Sequence, residues 1–222
     1  MKIYLSVFAG VFVSAQLFAG DLSVYRGFRL GDSLSRVAKI AELEPSDATL
    51  VQSRPAKIQE LDWHPYFAYN SSNSVDPVSE AVFSFYNDQL YRTVVSYDRH
   101  RVEGMTGEDI IQSISALYGV PTRPQVAIPF YSPYSESAPV LARWENEEYS
   151  YSLIRTGDNS SFVLIVLAKR LDTLAQASKA EAVRLDAQEA PQRAIDEQKQ
   201  QEETDLLAAK QMRSVNKPNF RP

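Results

Sequence analysis

The chain has 222 residues, 44% of them apolar and 23% charged, with a formal charge of −5; it is long enough for a substantial core and for one or two domains. Removing a leader that carries Lys2 leaves 22 basic against 28 acidic residues, or −6, a balance that argues against a general nucleic-acid binder, which needs a basic face to displace counterions from phosphates, though it leaves room for a local basic patch. There is no cysteine, so disulfides, thiolate zinc sites, a cysteine nucleophile and lipidation through an N-terminal cysteine are all excluded.

Residues 1–19, MKIYLSVFAGVFVSAQLFA, have one positive charge, an apolar centre and small residues around Ala19-Gly20. That pattern predicts a secretory signal peptide cut after Ala19 or Gly20, with Leu17 bulkier than such a cut prefers; a retained anchor wants about 20 uninterrupted apolar residues and stronger flanking charge. With the leader removed, no transmembrane segment is expected. Residues 20–170 read as an α+β domain. Val24 to Leu30 alternates as a short strand, and Gly31-Asp32-Ser33 supplies a turn and a helix N-cap. Leu34, Val37, Ala38 and Ala41 recur at helical spacing, Glu44-Pro45 ends that helix, and Ser46 to Val51 suits one further helical turn. Lys57 to Trp63 alternates as a strand, followed by the turn-forming run Asn70 to Pro77. Asn70-Ser71-Ser72 and Asn159-Ser160-Ser161 match a glycosylation pattern that arises often by chance.

Glu80 to Asp98 holds two β-branched and aromatic runs that meet at Asn87-Asp88, a β-hairpin signal. A two-residue turn sets Phe85 opposite Leu90 and Phe83 opposite Arg92, whereas a three-residue turn sets Phe85 opposite Tyr91 and Phe83 opposite Thr93; the shorter turn is favoured. Thr106 and Asp109 stand at capping-box spacing ahead of a second helix whose buried face is Ile110, Ile111, Ile114, Leu117 and Tyr118, with Gly119 and Pro121 as its stop. Val120 to Pro139 carries five prolines and reads as a long loop, functional or disordered. Val140–Glu145, Tyr149–Arg155 and Phe162–Lys169 are then three strands, and the last, apolar on both faces, suits a strand covered from both sides.

From Leu171 to Val215 strong helix formers dominate without a glycine. Leu171, Leu174, Ser178, Ala182 and Leu185 form a modest apolar stripe, and Pro191 is expected to break or kink the helix. Beyond it Ile195, Leu206, Leu207 and Met212 are too sparse for a coiled-coil seam, which favours a solvated helix, and residues 216–222 read as an extended tail.

The two halves, about 24–98 and 99–170, follow one order: a capped helix, a strand with a late tryptophan (Trp63, Trp144), then two strands joined by a short turn. This predicts a tandem α-β-β-β repeat on antiparallel sheet, followed by the long C-terminal helix. The segments LGDSLSRVAKI and MTGEDIIQSISALYGVP resemble the helical part of the β-lactamase-inhibitor-protein-like repeat, also used by small outer-membrane assembly lipoproteins. The resemblance covers roughly residues 24–170 and implies such a repeat fold; the absence of a cysteine to lipidate departs from the lipoproteins. The chain as a whole, with its ending VNKPNFRP, also resembles uncharacterised exported bacterial proteins, which implies no activity.

Reactive constellations are scarce. His64 lies beside Asp62 and His100 between Arg99 and Arg101, neither with a histidine at i+3 or i+4, and the eight glycines form no nucleophile elbow, phosphate loop or dinucleotide fingerprint. No cofactor, metal or catalytic residue is assigned. Aromatic residues in loop-like segments, Tyr66, Phe67, Tyr69, Phe130, Tyr131 and Tyr134, are the candidate partner-binding residues, because such rings give stiff contact area. The same rings also suit packing back over the sheet edges. The function expected is that of an exported, periplasmic or secreted, non-enzymatic binding or scaffold protein whose partner is another envelope protein. The alternatives are an exported hydrolase with a dispersed site, and an enzyme inhibitor suggested by the resemblance alone.

Overall fold

Strand-forming runs separated by turn formers build the sheet, and two capped helices plus one very long one complete the fold. The computed structural model describes residues 20–65, 76–132, 135–155, 161–219 and 221, with residues 131, 132, 135 and 136 as backbone only. The leader, both glycosylation patterns and Phe220 thus fall wholly or partly outside the described residues. Two short strands, β1 (Val24–Tyr25) and β2 (Phe28–Arg29), form a hairpin of their own. Helix α1 (Leu34–Ala41) follows, capped by Ser33, and a 3₁₀ turn (Pro45–Asp47) leads into β3 (Thr49–Gln52). Next come β4 (Ile58–Trp63), β5 (Val78–Tyr86), β6 (Gln89–Tyr97), helix α2 (Gly107–Tyr118), β7 (Ala127–Ser132), β8 (Ser135–Glu145), β9 (Tyr149–Arg155), β10 (Phe162–Ala168) and helix α3 (Lys169–Asn219). The class is α+β, as the sequence predicts.

Eight strands form one antiparallel sheet in the order β3-β4-β5-β6-β10-β9-β8-β7. Each half of the chain therefore contributes a helix and four strands, and the fourth strands of the two halves, β6 and β10, pair at the centre. Pairing across the sheet sets Leu61, Phe83, Thr93, Val166, Tyr151 and Trp144 in one continuous row. All six are buried, and the row joins Val37, Ala38, Ile111 and Ile114 from α1 and α2 in the main core, except that Thr93 contributes a buried hydroxyl. Burying each large apolar side chain here is worth about 1.5–3 kcal/mol.

The opposite face carries a smaller apolar cluster of Ala138, Val140, Ile154, Val163 and Ile165. β10 is covered on both sides, as its unbroken apolar run requires. α3 leaves the end of β10, contacts β5, β6 and β10, and reaches β3 where Gln52 Nε2 donates to Ser178 Oγ at 2.8 Å.

The β5–β6 hairpin combines the two registers that the sequence allowed. Tyr86 pairs with Gln89 and Phe85 with Leu90, the two-residue turn, but a bulge at Tyr91 then sets Ser84 opposite Arg92 and Phe83 opposite Thr93. Asn87 and Asp88 both hold positive φ, +46° and +65°, which a turn of this hand requires. Glycine is the easier residue at such angles, yet both side chains are engaged. Asn87 Oδ1 accepts from Lys57 N at 2.9 Å, and Asp88 Oδ1 accepts from Leu34 N at 2.9 Å, satisfying a donor at the start of α1. Asp88→Gly is therefore expected to destabilise the fold by about 1 kcal/mol despite its easier backbone, because the loss of that cap outweighs relief of φ strain. A denaturation midpoint equal to or above wild type would contradict this role.

Several expectations are corrected. Val24–Leu30 is a hairpin turning at Arg26-Gly27, both at positive φ, and not one strand. The 46–51 segment keeps only a 3₁₀ turn before β3, and α1 ends at Glu42, a left-handed C-cap, ahead of Pro45. The proline-rich 120–139 stretch is not an irregular loop throughout, because it supplies β7 and the start of β8, giving four strands per half rather than three. β7 is an edge strand, the one place in a sheet where Pro129 leaves no ladder partner unmet. Leu117 is 66% exposed rather than buried, and on α3 Ala175 takes the buried position expected of Leu174. α3 runs unbroken through Pro191, where a break or a kink is expected from sequence, and on to Asn219, into the stretch expected as an extended tail. At Pro191 the freed carbonyl faces water on an exposed helix, which reduces the cost of the missing hydrogen bond.

Candidate functional site

On the sheet face opposite α1 and α2, the β7–β8 hairpin folds back over its neighbours. β7 is the outermost strand, yet Ile128 and Phe130 pack on the cluster formed by Val163, Ile165 and Ile154. Between this hairpin, the sheet and the first turns of α3 lies a groove of about 620 Å³. Its apolar lining is Ile128, Pro129, Ile165 and Leu167. Its polar lining follows the strand register. Arg92, Leu167, Ser150 and Glu145 form one row across β6, β10, β9 and β8, and Val94, Ile165, Ser152 and Arg143 form the next. Asp172, Gln176 and Lys179 project from α3 at helical spacing, completing the rim with Lys169.

The charges in the groove are unevenly matched. Lys169 Nζ is 2.7 Å from Glu145 Oε2 and donates to Asn146 O as well. Arg143 Nε donates to Ser152 Oγ at 3.1 Å. Among the described residues, no carboxylate lies within ion-pair distance of Arg92, Arg143 or Lys179, and Arg92 Nε is shielded from solvent without an acceptor. Four bases against two acids leave the lining at +2. A groove with an apolar floor and unmatched guanidinium groups suits a ligand that carries carboxylates beside apolar groups.

A second polar cluster is structural. The Tyr118 and Tyr151 hydroxyls donate to Val24 O at 3.3 and 2.9 Å, and their ring centroids lie 4.6 Å apart. Arg26 is paired with Asp76 at 2.7 Å close to Tyr25 and Tyr97. Burial pushes the Tyr25 and Tyr151 phenols well above the ordinary range and Tyr97 up to about 12, so these groups stay neutral and hold the β1 segment against the sheet.

The sequence-selected aromatics are only partly placed. Tyr66, Phe67, Tyr69 and Tyr134 lie outside the described residues, and Tyr131 is described as backbone within β7. Phe130 is half-buried against the smaller cluster. Both histidines are exposed at loop ends. His64 Nε2 is 3.9 Å from Glu80 Oε1, and its Nδ1 is 3.3 Å from Ser79 O, while the backbone N–H of His100 donates to Asp98. Among the described residues no three His, Asp or Glu side chains stand together as metal ligands, and no helix is long and apolar enough to cross a membrane. Sequence reasoning missed Arg92 and Arg143; the available signal was an arginine at an internal position of a strand otherwise rich in apolar residues. No protein-family model, curated protein or solved structure matches this chain.

Proposed function

We propose that the chain is an exported, non-enzymatic binding or scaffold protein of the bacterial cell envelope, and that it engages a partner protein through the groove beneath the β7–β8 hairpin. The observation that carries this reading is the pairing of an apolar floor with Arg92 and Arg143, neither neutralised by a carboxylate among the described residues. Both are held by sheet pairing, so the site is pre-formed, and pre-formed sites lose little entropy on binding. Export rests on the leader-like residues 1–19. We also read the two helix-plus-four-strand halves as a tandem repeat akin to the β-lactamase-inhibitor-protein-like unit, supported by their shared element order and by the central pairing of their last strands.

A photo-crosslinker at Ile128, compared with one at exposed Lys39 on α1, tests the site in intact cells. Capture of one envelope protein at Ile128, absent at Lys39 and lost in Arg92→Glu/Arg143→Glu, is the expected result. Equal capture at both positions, or capture that survives the charge reversal, would remove the groove from the interface.

A further inference from the structure

Helix α2 ends without the partners that its last carbonyls need. Its final turn carries no basic residue. The Ser115 carbonyl accepts from Gly119 N at 2.9 Å, but the regular donor to the Leu117 carbonyl is the N–H of residue 121, and that residue is a proline. Among the described residues no hydrogen bond ends on Leu117 O.

Gly20 lies against this carbonyl. A Cβ added to Gly20 would stand 2.1 Å from Leu117 O and 3.2 Å from its carbonyl carbon, so any side chain there would force the helix end to shift. The α-nitrogen of Gly20 is two bonds from that position and therefore lies within about 5 Å of the same oxygen. Beside it is a recess of about 350 Å³ whose walls include Gly20, Tyr118 and Trp144, and its two charged lining residues, Asp21 and Glu145, are both acids. Glu145 is paired with Lys169, while Asp21 accepts from Ser23 N and has Arg29 at 3.6 Å. A positive charge on the nitrogen of Gly20 thus meets the negative end of a helix and a carbonyl in need of a donor, with no base in the lining to compete.

The two cuts that the leader pattern allows differ at this point. A cut after Gly20 discards the residue that packs on α2, and it puts Phe18, bulkier than Leu17, three positions before the cut. A cut after Ala19 keeps the packed glycine. That hydrolysis consumes one water, leaves a carboxylate on Ala19 and gives Gly20 a free amine, which is protonated at neutral pH.

We infer that the bond between Ala19 and Gly20 is the processing site, and that the ammonium it frees on Gly20 caps the C-terminus of α2. In the uncut chain the same nitrogen is a neutral amide, so removal of the leader adds a charge at a helix end that lacks one. The inference rests on the export proposed above and adds which bond is cut and what the cut supplies to the fold.

Mass spectrometry of the intact protein recovered from the cells that make it reads the position of the cut, and a chain starting at Gly20 in the envelope fraction is the expected result. A cut chain with any other start, or an uncut chain held in the envelope, overturns the inference and leaves export standing. An uncut chain found only inside the cell removes both. The role of the ammonium is read from urea denaturation of three purified chains at about pH 6.5, below the ordinary α-amino pKa. One starts at Gly20, one starts at Gly20 with its amine acetylated, and one starts at Ala19, which moves the ammonium one residue away and leaves Gly20 in place. The chain with the free Gly20 amine is expected to have a folding equilibrium constant about two- to fivefold larger than the acetylated chain, with the Ala19 chain also below it. The gap is expected to narrow as salt rises. Equal stability of the free and acetylated chains would overturn the inference.

Discussion

Trp144→Ala is expected to cost about 3–5 kcal/mol, a large share of the stability of an ordinary domain. The indole is 2% exposed, sits at one end of the buried row that crosses the sheet, and donates from Nε1 to Gly119 O at 2.9 Å. Gly119 is the C-cap of α2, so the same side chain fills the core and fixes the helix end to β8. Trp144→Phe separates the two roles: most of the packing survives, and the loss falls to about 1–3 kcal/mol for the unpaired carbonyl. Trp63, the other tryptophan of the chain, is only half-buried and packs edge-on against Phe28 at 5.3 Å. Trp63→Ala is therefore expected to cost about 1–2 kcal/mol. Urea midpoints for the three variants check the ranking, and equal losses at the two tryptophans would contradict it.

Stability is expected to fall steeply above about pH 10. Tyr97, Tyr25 and Tyr151 have folded pKa values raised by burial above the ordinary 10.0. Because the folded state holds these protons more tightly than the unfolded one, the stabilisation is complete below pH 10 and is lost as pH rises toward the folded values. For Tyr97, raised to about 12, the full loss is on the order of 3 kcal/mol, and each phenol still protonated in the fold contributes a slope of about 1.4 kcal/mol per pH unit. Three such groups give about 4 kcal/mol per unit at the steepest point. Denaturation midpoints taken between about pH 9 and 11.5 measure the slope, and Tyr97→Phe should reduce it by one proton. Phenolate absorbance supplies an independent readout: the signal of the buried set appears only as the protein unfolds. A flat profile across this range would mean that the phenols are solvated in the folded state.

Much of the fold was legible because local and tertiary preferences agree. Ser33 and Thr106 announce their helices by capping geometry, and the capping box at Thr106 and Asp109 is present on both sides. β9 spans the very residues its alternation suggested. The failures have physical causes. Prolines argue against helices and inner strands but not against an edge strand, so Pro129 concealed β7. The bulge at Tyr91 merges two registers that sequence treats as exclusive. Pro191 breaks helices when its cost is unshared, and the surrounding helix formers here carry the chain past it.

The site was harder to read than the fold. Aromatic loops attracted attention by composition, whereas Arg92 and Arg143 matter only because four strands bring them onto one face. Neighbours created by sheet order leave no spacing signature in the chain.

The central β6·β10 pairing has a further consequence for how the protein is made. Arg92 and Leu167 are partners, so the middle of the sheet closes only after nearly the whole domain has been synthesised. Until then the first half carries β6 with an open edge, rich in Val94, Val95 and Tyr91, a template for pairing with other chains. The β6·β10 pairing is thus a long-range contact of the kind that slows folding. Any cell that makes this protein must keep that edge unoccupied until its own last strand arrives.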